Sequence, residues 1–138
     1  MTIYAFSDCA SRGNPGESGI GIVLKDEEGK IIYSAGGYIG KTTNNAAEYE
    51  ALLVCLKKAS ELRCKKLILH SDSQLMVRQL QGTYRVKEKN LQKYFVQAKQ
   101  LIGAAHFTFE IVHIDREQNH DADVLANAGI DSRQQLRI

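Results

Sequence analysis

Gly19-Ile20-Gly21-Ile22-Val23-Leu24-Lys25-Asp26-Glu27-Glu28-Gly29-Lys30-Ile31-Ile32-Tyr33-Ser34-Ala35-Gly36-Gly37-Tyr38 is the stretch that decides the fold. In an extended chain Ile20, Ile22 and Leu24 fall on one side and Gly21 and Val23 on the other. Asp26 to Gly29 supplies turn residues, so Gly19–Lys25 and Lys30–Tyr38 read as the two strands of a hairpin. Gly36-Gly37 predicts a bulge or a close backbone approach. Upstream, Thr2–Asp8 reads as a further strand. Ser11–Gly16, with the chain's only Pro between two glycines, reads as the turn that joins it to the hairpin. The chain thus opens with a three-strand meander.

Downstream the period changes. Asn44–Leu62 carries Ala47, Leu52, Cys55, Leu56 and Ala59 at helical spacing, with Asn44 or Asn45 as the cap. Leu67–Leu69 is a short apolar run and predicts a central strand. Ser73–Gln81 and Lys89–Ile102 predict helices ended by Gly82 and Gly103. Phe107–Ile114 predicts a last strand, and Asn119–Ala128 a last helix closed by Gly129. The order β-β-β-α-β-α-α-β-α places parallel strands behind an antiparallel meander. The expected class is α/β, a five-stranded mixed sheet with helices on both faces. Residues 1–130 are expected to form one domain, and 131–138 a tail.

With 138 residues, 43% hydrophobic and 25% charged, the composition is that of a globular domain. No apolar run reaches the roughly 20 residues of a membrane span, so no membrane partner is expected. Met1-Thr2-Ile3-Tyr4 reads as a strand, not as a signal segment. Cys9, Cys55 and Cys64 form no Cys-x-x-Cys pair, which argues against zinc or a disulfide framework. These features predict a cytoplasmic protein. A net charge of +2 permits a nucleic-acid partner without arguing for one.

Four carboxylates stand in short polar motifs. Asp8 and Asp72 are predicted at the ends of adjacent strands, and Glu48 and Asp123 in the first turns of helices. Each taken alone has a plain reading. Glu48 would be the capping-box partner of Asn45, Asp72 a helix cap, Asp8 a turn former, and Asp123 an acid favoured by a helix N-terminus. Gathered at one sheet edge, four ionised carboxylates repel unless a hard cation such as Mg²⁺ or Mn²⁺ neutralises them. The expected chemistry is metal-dependent phosphoryl transfer.

The four segments are Asp8 to Gly16 (Asp-x-x-x-x-Gly-Asn-Pro-Gly), Thr43 to Glu48 around Asn45, Ser71-Asp72-Ser73-Gln74, and Asn119 to Ala126 around Asp123. In this order they resemble type 1 ribonuclease H, over nearly the whole chain. The resemblance implies a ribonuclease H-like fold. It implies a metal-dependent endonuclease that hydrolyses the RNA strand of RNA–DNA hybrids, leaving 5′-phosphate and 3′-hydroxyl ends. Asp8, Glu48, Asp72 and Asp123 would hold two Mg²⁺, with Mn²⁺ as a substitute and Asp8 between the two ions. Asn14, Asn45 and Gln74 would approach the minor groove of the hybrid, and Thr43 a phosphate of the DNA strand. Amide side chains suit the groove because they both donate and accept. Two rival readings are cleavage of double-stranded RNA on the same fold and a hybrid-binding module without catalysis. The intact carboxylates argue against the latter. A monomer is expected.

The sequence departs from the family in two places. Many members carry a mobile His before the last helix, where this chain has Asp115-Arg116-Glu117-Gln118. Arg116 is the nearest substitute and could hold a phosphate, but it stays protonated and cannot act as a base. His120 falls on the helix, and His70 and His113 fall in strands as structural residues. There is little room for a separate basic protrusion. The run Arg85-Val86-Lys87-Glu88-Lys89 with Lys93 reads either as a solvated face or as a phosphate-tracking patch.

Overall fold

The computed structural model describes residues 1–136. Residues 137–138, the end of the expected tail, lie outside the described residues. The strands are β1 (Thr2–Gly13), β2 (Gly16–Lys25), β3 (Ile31–Thr42), β4 (Lys66–Ser71) and β5 (Thr108–His113). They form one sheet in the order β3-β2-β1-β4-β5. β1, β2 and β3 pair antiparallel, whereas β1–β4 and β4–β5 pair parallel, as the element order predicts. The parallel joins cross over through α1 (Asn44–Glu61) and then through α2 (Gln74–Leu80) and α3 (Lys89–Ala104). Helix α4 (His120–Ser132) follows β5.

Several elements run further than the sequence pattern implies, β2 back to Gly16 and β3 on to Thr42 among them. The β1–β2 register closes at Gly13 opposite Gly16, so the turn shrinks to Asn14-Pro15 and Ser11 and Arg12 remain in β1. The hydroxyls of Ser11 and Ser18, directly opposite, share a 2.8 Å hydrogen bond. β4 includes Lys66, His70 and Ser71 because backbone pairing on both sides extends past its apolar centre. Helix α4 passes through Gly129 to Ser132 and so crosses the expected boundary after residue 130. Gly129 is a contact rather than a stop: a Cβ there would strike the backbone of Gly37. Beyond the helix, the Tyr38 N–H donates to the Gln134 carbonyl at 2.8 Å, which lays the described part of the tail along β3.

The two faces of the sheet are filled differently. Ile20, Ile22 and Leu24 join Ile3, Ala5, Leu67 and Leu69 in one buried core with Leu52, Cys55 and Leu56 of α1. Each large aliphatic side chain buried this way contributes roughly 1.5–3 kcal/mol. On the opposite face Gly19 and Gly21 of β2 and Gly36 of β3 meet the backbone of α4 itself, at Ala126, Ala122 and Leu125. Of the two readings of Gly36-Gly37, close approach is the observed one. The register shifts of the β2–β3 pair lie elsewhere, at Ser18/Gly19 and Leu24/Lys25.

Candidate active site

Strand register brings the first two carboxylates together. The β1–β4 pairing ends at Ser7 opposite Ser71, so Asp8 and Asp72 are each the next residue along. Asp8 is therefore not at the end of β1, as expected, but in mid-strand where β4 stops. This also removes the turn-former reading. Asp72 is not the cap of α2. That role belongs to Ser73, whose hydroxyl accepts the Met76 N–H at 3.3 Å. The cap of α1 is likewise Thr43, accepting the Ala46 N–H at 3.3 Å, and not Asn44 or Asn45. The first turn of α1 holds no acid, so Glu48 lies beyond it and takes no part in a capping box. Asp123 does lie in the first turn of α4.

Asp8, Glu48 and Asp72 each offer a carboxylate oxygen within 4.8 Å of the others. Asp8 is 5% and Glu48 7% exposed, and Glu48 Oε1 has no hydrogen-bond partner. Burial, then the charge of Asp72, raises the Asp8 carboxyl to about 7, against the pull of the Cys9 N–H on its Oδ1 at 2.8 Å. Burial, then the charges of Asp8 and Asp72, pushes Glu48 well above the ordinary carboxylate range. Asp123 and Arg116 line the same cleft, but Asp123 stands outside the close group of three. Three converging oxygen donors, two of them buried and one unpartnered, fit a hard divalent cation.

Asn119 is the site residue that sequence reasoning missed. The sequence places it at the start of the last helix and at the head of the motif around Asp123, but gives it no role of its own. It is 1% exposed, and its Nδ2 donates to the Ser7 carbonyl at 2.8 Å and to Asp72 Oδ2 at 3.1 Å. It thereby ties the carboxylate after β4 to the backbone before Asp8. A buried Asn has no signature in a single sequence, because the same residue type is common at helix starts. Asn119 closes a short 3₁₀ turn, Arg116–Asn119, and is the N-cap of α4, without a side-chain capping bond. Arg116 is thus not on a loose loop: the Gln118 N–H donates to the Asp115 carbonyl at 3.0 Å, and Gln118 Oε1 accepts the Asp115 N–H at 3.1 Å. Its exposed guanidinium opposes the upward shifts of both Asp8 and Glu48.

Of the expected substrate residues, only Asn45 is among those that line this cleft. Asn14 Oδ1 accepts the Asn44 N–H at 3.1 Å, which seats the β1–β2 turn against the start of α1. Asn45 is exposed and lines the cleft, and Gln74 is exposed as the first residue of α2. His70 is structural: it stacks on Phe6 at 4.4 Å, with Nδ1 3.0 Å from the Ala5 carbonyl. His113 and His120 are exposed. Of the aromatics that flank the basic run, Tyr84 is exposed, whereas Tyr94 and Phe95 rest against the core.

Residues 6–129 match a family model described as "Reverse transcriptase-like". Over 129 residues the chain is 38% identical to Ribonuclease HI of Halobacterium salinarum, covering 94% of this chain and 64% of that relative. The chain belongs to the type 1 ribonuclease H family. The crystal structure of RNase H1 from the same archaeon superimposes with a TM-score of 0.91 at 38% identity, covering 96% of this chain and 99% of that one. LC11-RNase H1, solved in complex with an RNA/DNA hybrid, gives 0.89 at 40% identity, with 94% and 97% covered. The sheet order and the helices on its faces are thus those of a ribonuclease H. The chain spans under two thirds of the curated Halobacterium relative.

Proposed function

We propose that this ribonuclease H family member is a two-metal endonuclease that hydrolyses the RNA strand of RNA–DNA hybrids, leaving 5′-phosphate and 3′-hydroxyl ends. The observation that carries the proposal is the group Asp8, Glu48 and Asp72, whose oxygens converge within 4.8 Å while two of the three side chains are buried. Without a cation such a group costs stability, because desolvated like charges repel. The hybrid bound to LC11-RNase H1 supports the substrate class.

Asp8, Glu48, Asp72 and Asp123 would hold Mg²⁺, or Mn²⁺ in its place. When bound, two such ions activate water and offset charge on the departing 3′ oxygen. The protein's own part is to fix the oxygens on a sheet edge, in α1 beyond its first turn and in the first turn of α4 before substrate arrives. Arg116, exposed at the rim, holds the scissile or departing phosphate with its planar fork. Thr43 spends its oxygen on the Ala46 N–H, which leaves the hydroxyl proton free for a phosphate of the DNA strand. Asn14, Asn45 and Gln74 meet the minor groove, where 2′-hydroxyls mark the RNA strand.

On this reading the catalytic unit, expected to end at residue 130, runs on to the end of α4 at Ser132, the site is complete within a monomer, and the free thiols of Cys9, Cys55 and Cys64 suit a reducing cytoplasm. Among the described residues no helix is long and apolar enough to cross a membrane. The test is a gel of end-labelled hybrid, duplex RNA and single-stranded RNA, each with Mg²⁺, Mn²⁺ or a chelator. Metal-dependent cutting of the RNA strand of the hybrid is expected. Equal cutting of duplex RNA would widen the substrate class, and metal-dependent binding without cutting would replace catalysis by recognition.

A further inference from the structure

Asp123 is the one expected ligand outside the close group, and its side chain has a partner of its own. Asn127, one turn further along α4, donates through Nδ2 to the Asp123 carbonyl at 3.0 Å and to Asp123 Oδ1 at 3.3 Å. The other end of the same amide meets Arg12 of β1, with Nη2 3.4 Å from Asn127 Oδ1. Arg12 Nη2 also reaches Asp131 Oδ1 at 3.1 Å, a further turn along. Asp123, Asn127 and Asp131 thus form a stripe at i, i+4 and i+8 on one helix face.

The charges on either side decide how the amide points. A guanidinium only donates and a carboxylate only accepts, so the amide oxygen must face Arg12 and its NH₂ must face Asp123. A flipped amide would set donor against donor and acceptor against acceptor. We propose that Asn127 is a positioning residue: it holds the Asp123 carboxylate toward the metal cleft, and Arg12 fixes the orientation in which it does so. Arg12 immediately precedes Gly13 and the Asn14-Pro15 turn, so the support of the fourth carboxylate is anchored beside a segment expected to touch substrate. Asn127 acts through Asp123 and touches no reacting atom.

The inference rests on reading Asp123 as a metal ligand, and the experiment separates the two. Wild type, Asn127→Ala, Asn127→Gln, Asp123→Asn and the double variant Asp123→Asn with Asn127→Ala are compared. The readouts are calorimetric titration with Mn²⁺ alone, thermal melting, and steady-state cleavage of one hybrid. Asn127→Ala should melt with wild type, weaken the weaker Mn²⁺ event about tenfold, and lower kcat about tenfold at unchanged KM. Asn127→Gln should recover part of the loss, because a Gln still reaches a carboxylate four residues back. In the Asp123→Asn background the Asn127→Ala change should cost nothing more. An active wild type with an indifferent Asn127→Ala, or an equal loss in both backgrounds, overturns the inference alone. A wild type that neither binds Mn²⁺ nor cuts hybrid overturns the reading of the site and the inference with it.

Discussion

The face of the sheet under α1 and the face under α4 do opposite jobs with opposite materials. Under α1, large aliphatic residues of β1, β2 and β4 fill a core and hold Glu48 at its edge, buried beside Asp8. Under α4, the glycines at 19, 21 and 36 let the helix backbone lie on the sheet and carry Asp123 to the cleft. The first face stabilises by removing apolar area from water, and the second positions by removing side chains altogether. The carboxylates divide along the same line. Asp8, Glu48 and Asp72 form a close, largely buried group, whereas Asp123 arrives from the other face and stays outside it.

The largest effect should come from the close group. Asp8→Asn is expected to lower hybrid cleavage by about three orders of magnitude, roughly 4 kcal/mol of barrier, with circular dichroism unchanged. Substantial cleavage by this variant would remove Asp8 from the chemistry.

The two faces can be set against each other directly. Ile22→Ala empties part of the α1 core and should cost about 2–5 kcal/mol of stability, read by chemical denaturation. Gly21→Ala adds one methyl against the Ala122 carbonyl and should cost about 1–3 kcal/mol by overpacking. Of the two, Gly21→Ala should lose the larger share of kcat per kcal/mol of stability, because Ala122 neighbours Asp123. Equal kcat losses at matched stability would mean that the glycine face does not position that carboxylate.

A smaller loss, about one order of magnitude in kcat or roughly 1.4 kcal/mol, is expected for Arg116→Ala. The loss should be of the same size across about pH 6–7, the range where a histidine would titrate, read on a pH–rate profile beside wild type. Wild-type rates for Arg116→Ala across that range would make Arg116 a surface charge.

The subtlest contrast is in pH dependence without metal. An unfolded Asp titrates near 3.9, whereas native Asp8 titrates at about 7 because burial and the Asp72 charge disfavour its anion. Between those values the native state holds the extra proton, so this group's contribution to stability is fully present below about pH 4 and is lost as pH rises through about 7. Denaturant midpoints in chelator should therefore fall across that window for wild type. The slope should lessen in Asp8→Asn, where buried Glu48 still contributes, and persist largely in Asp123→Asn, because Asp123 is a lesser cause of the Asp8 shift than Asp72.

The α1 face was legible in the sequence because burial there imposes a period: Ile20, Ile22 and Leu24 announce a strand, and Leu52, Cys55 and Leu56 a helix. The four carboxylates were legible because each sits in a motif, and the element order sufficed to set Asp8 beside Asp72. The α4 face was only half legible. The glycines signalled a close approach, but not what approached, since that partner lies some hundred residues away in sequence. The same long-range packing hid the role of Asn119, whose donors find Ser7 and Asp72 only after folding. It also made Gly129 look like a helix stop, when Gly37 is the reason for it. The caps went to Thr43 and Ser73, one or two residues from the positions weighed, where the hydroxyls accept the N3 amides.

The central claim is that Asp8, Glu48 and Asp72 are arranged for a divalent cation, and it is tested most directly by melting the protein at pH 7.5 against increasing Mg²⁺, wild type beside Asp8→Asn. The account predicts that wild type melts lower than Asp8→Asn in chelator and climbs steadily as Mg²⁺ is added, by the mass action of a ligand that binds only the native state. The variant should start higher and rise little. A wild-type melting temperature that ignores Mg²⁺, or an Asp8→Asn variant that climbs as steeply as wild type, would contradict it.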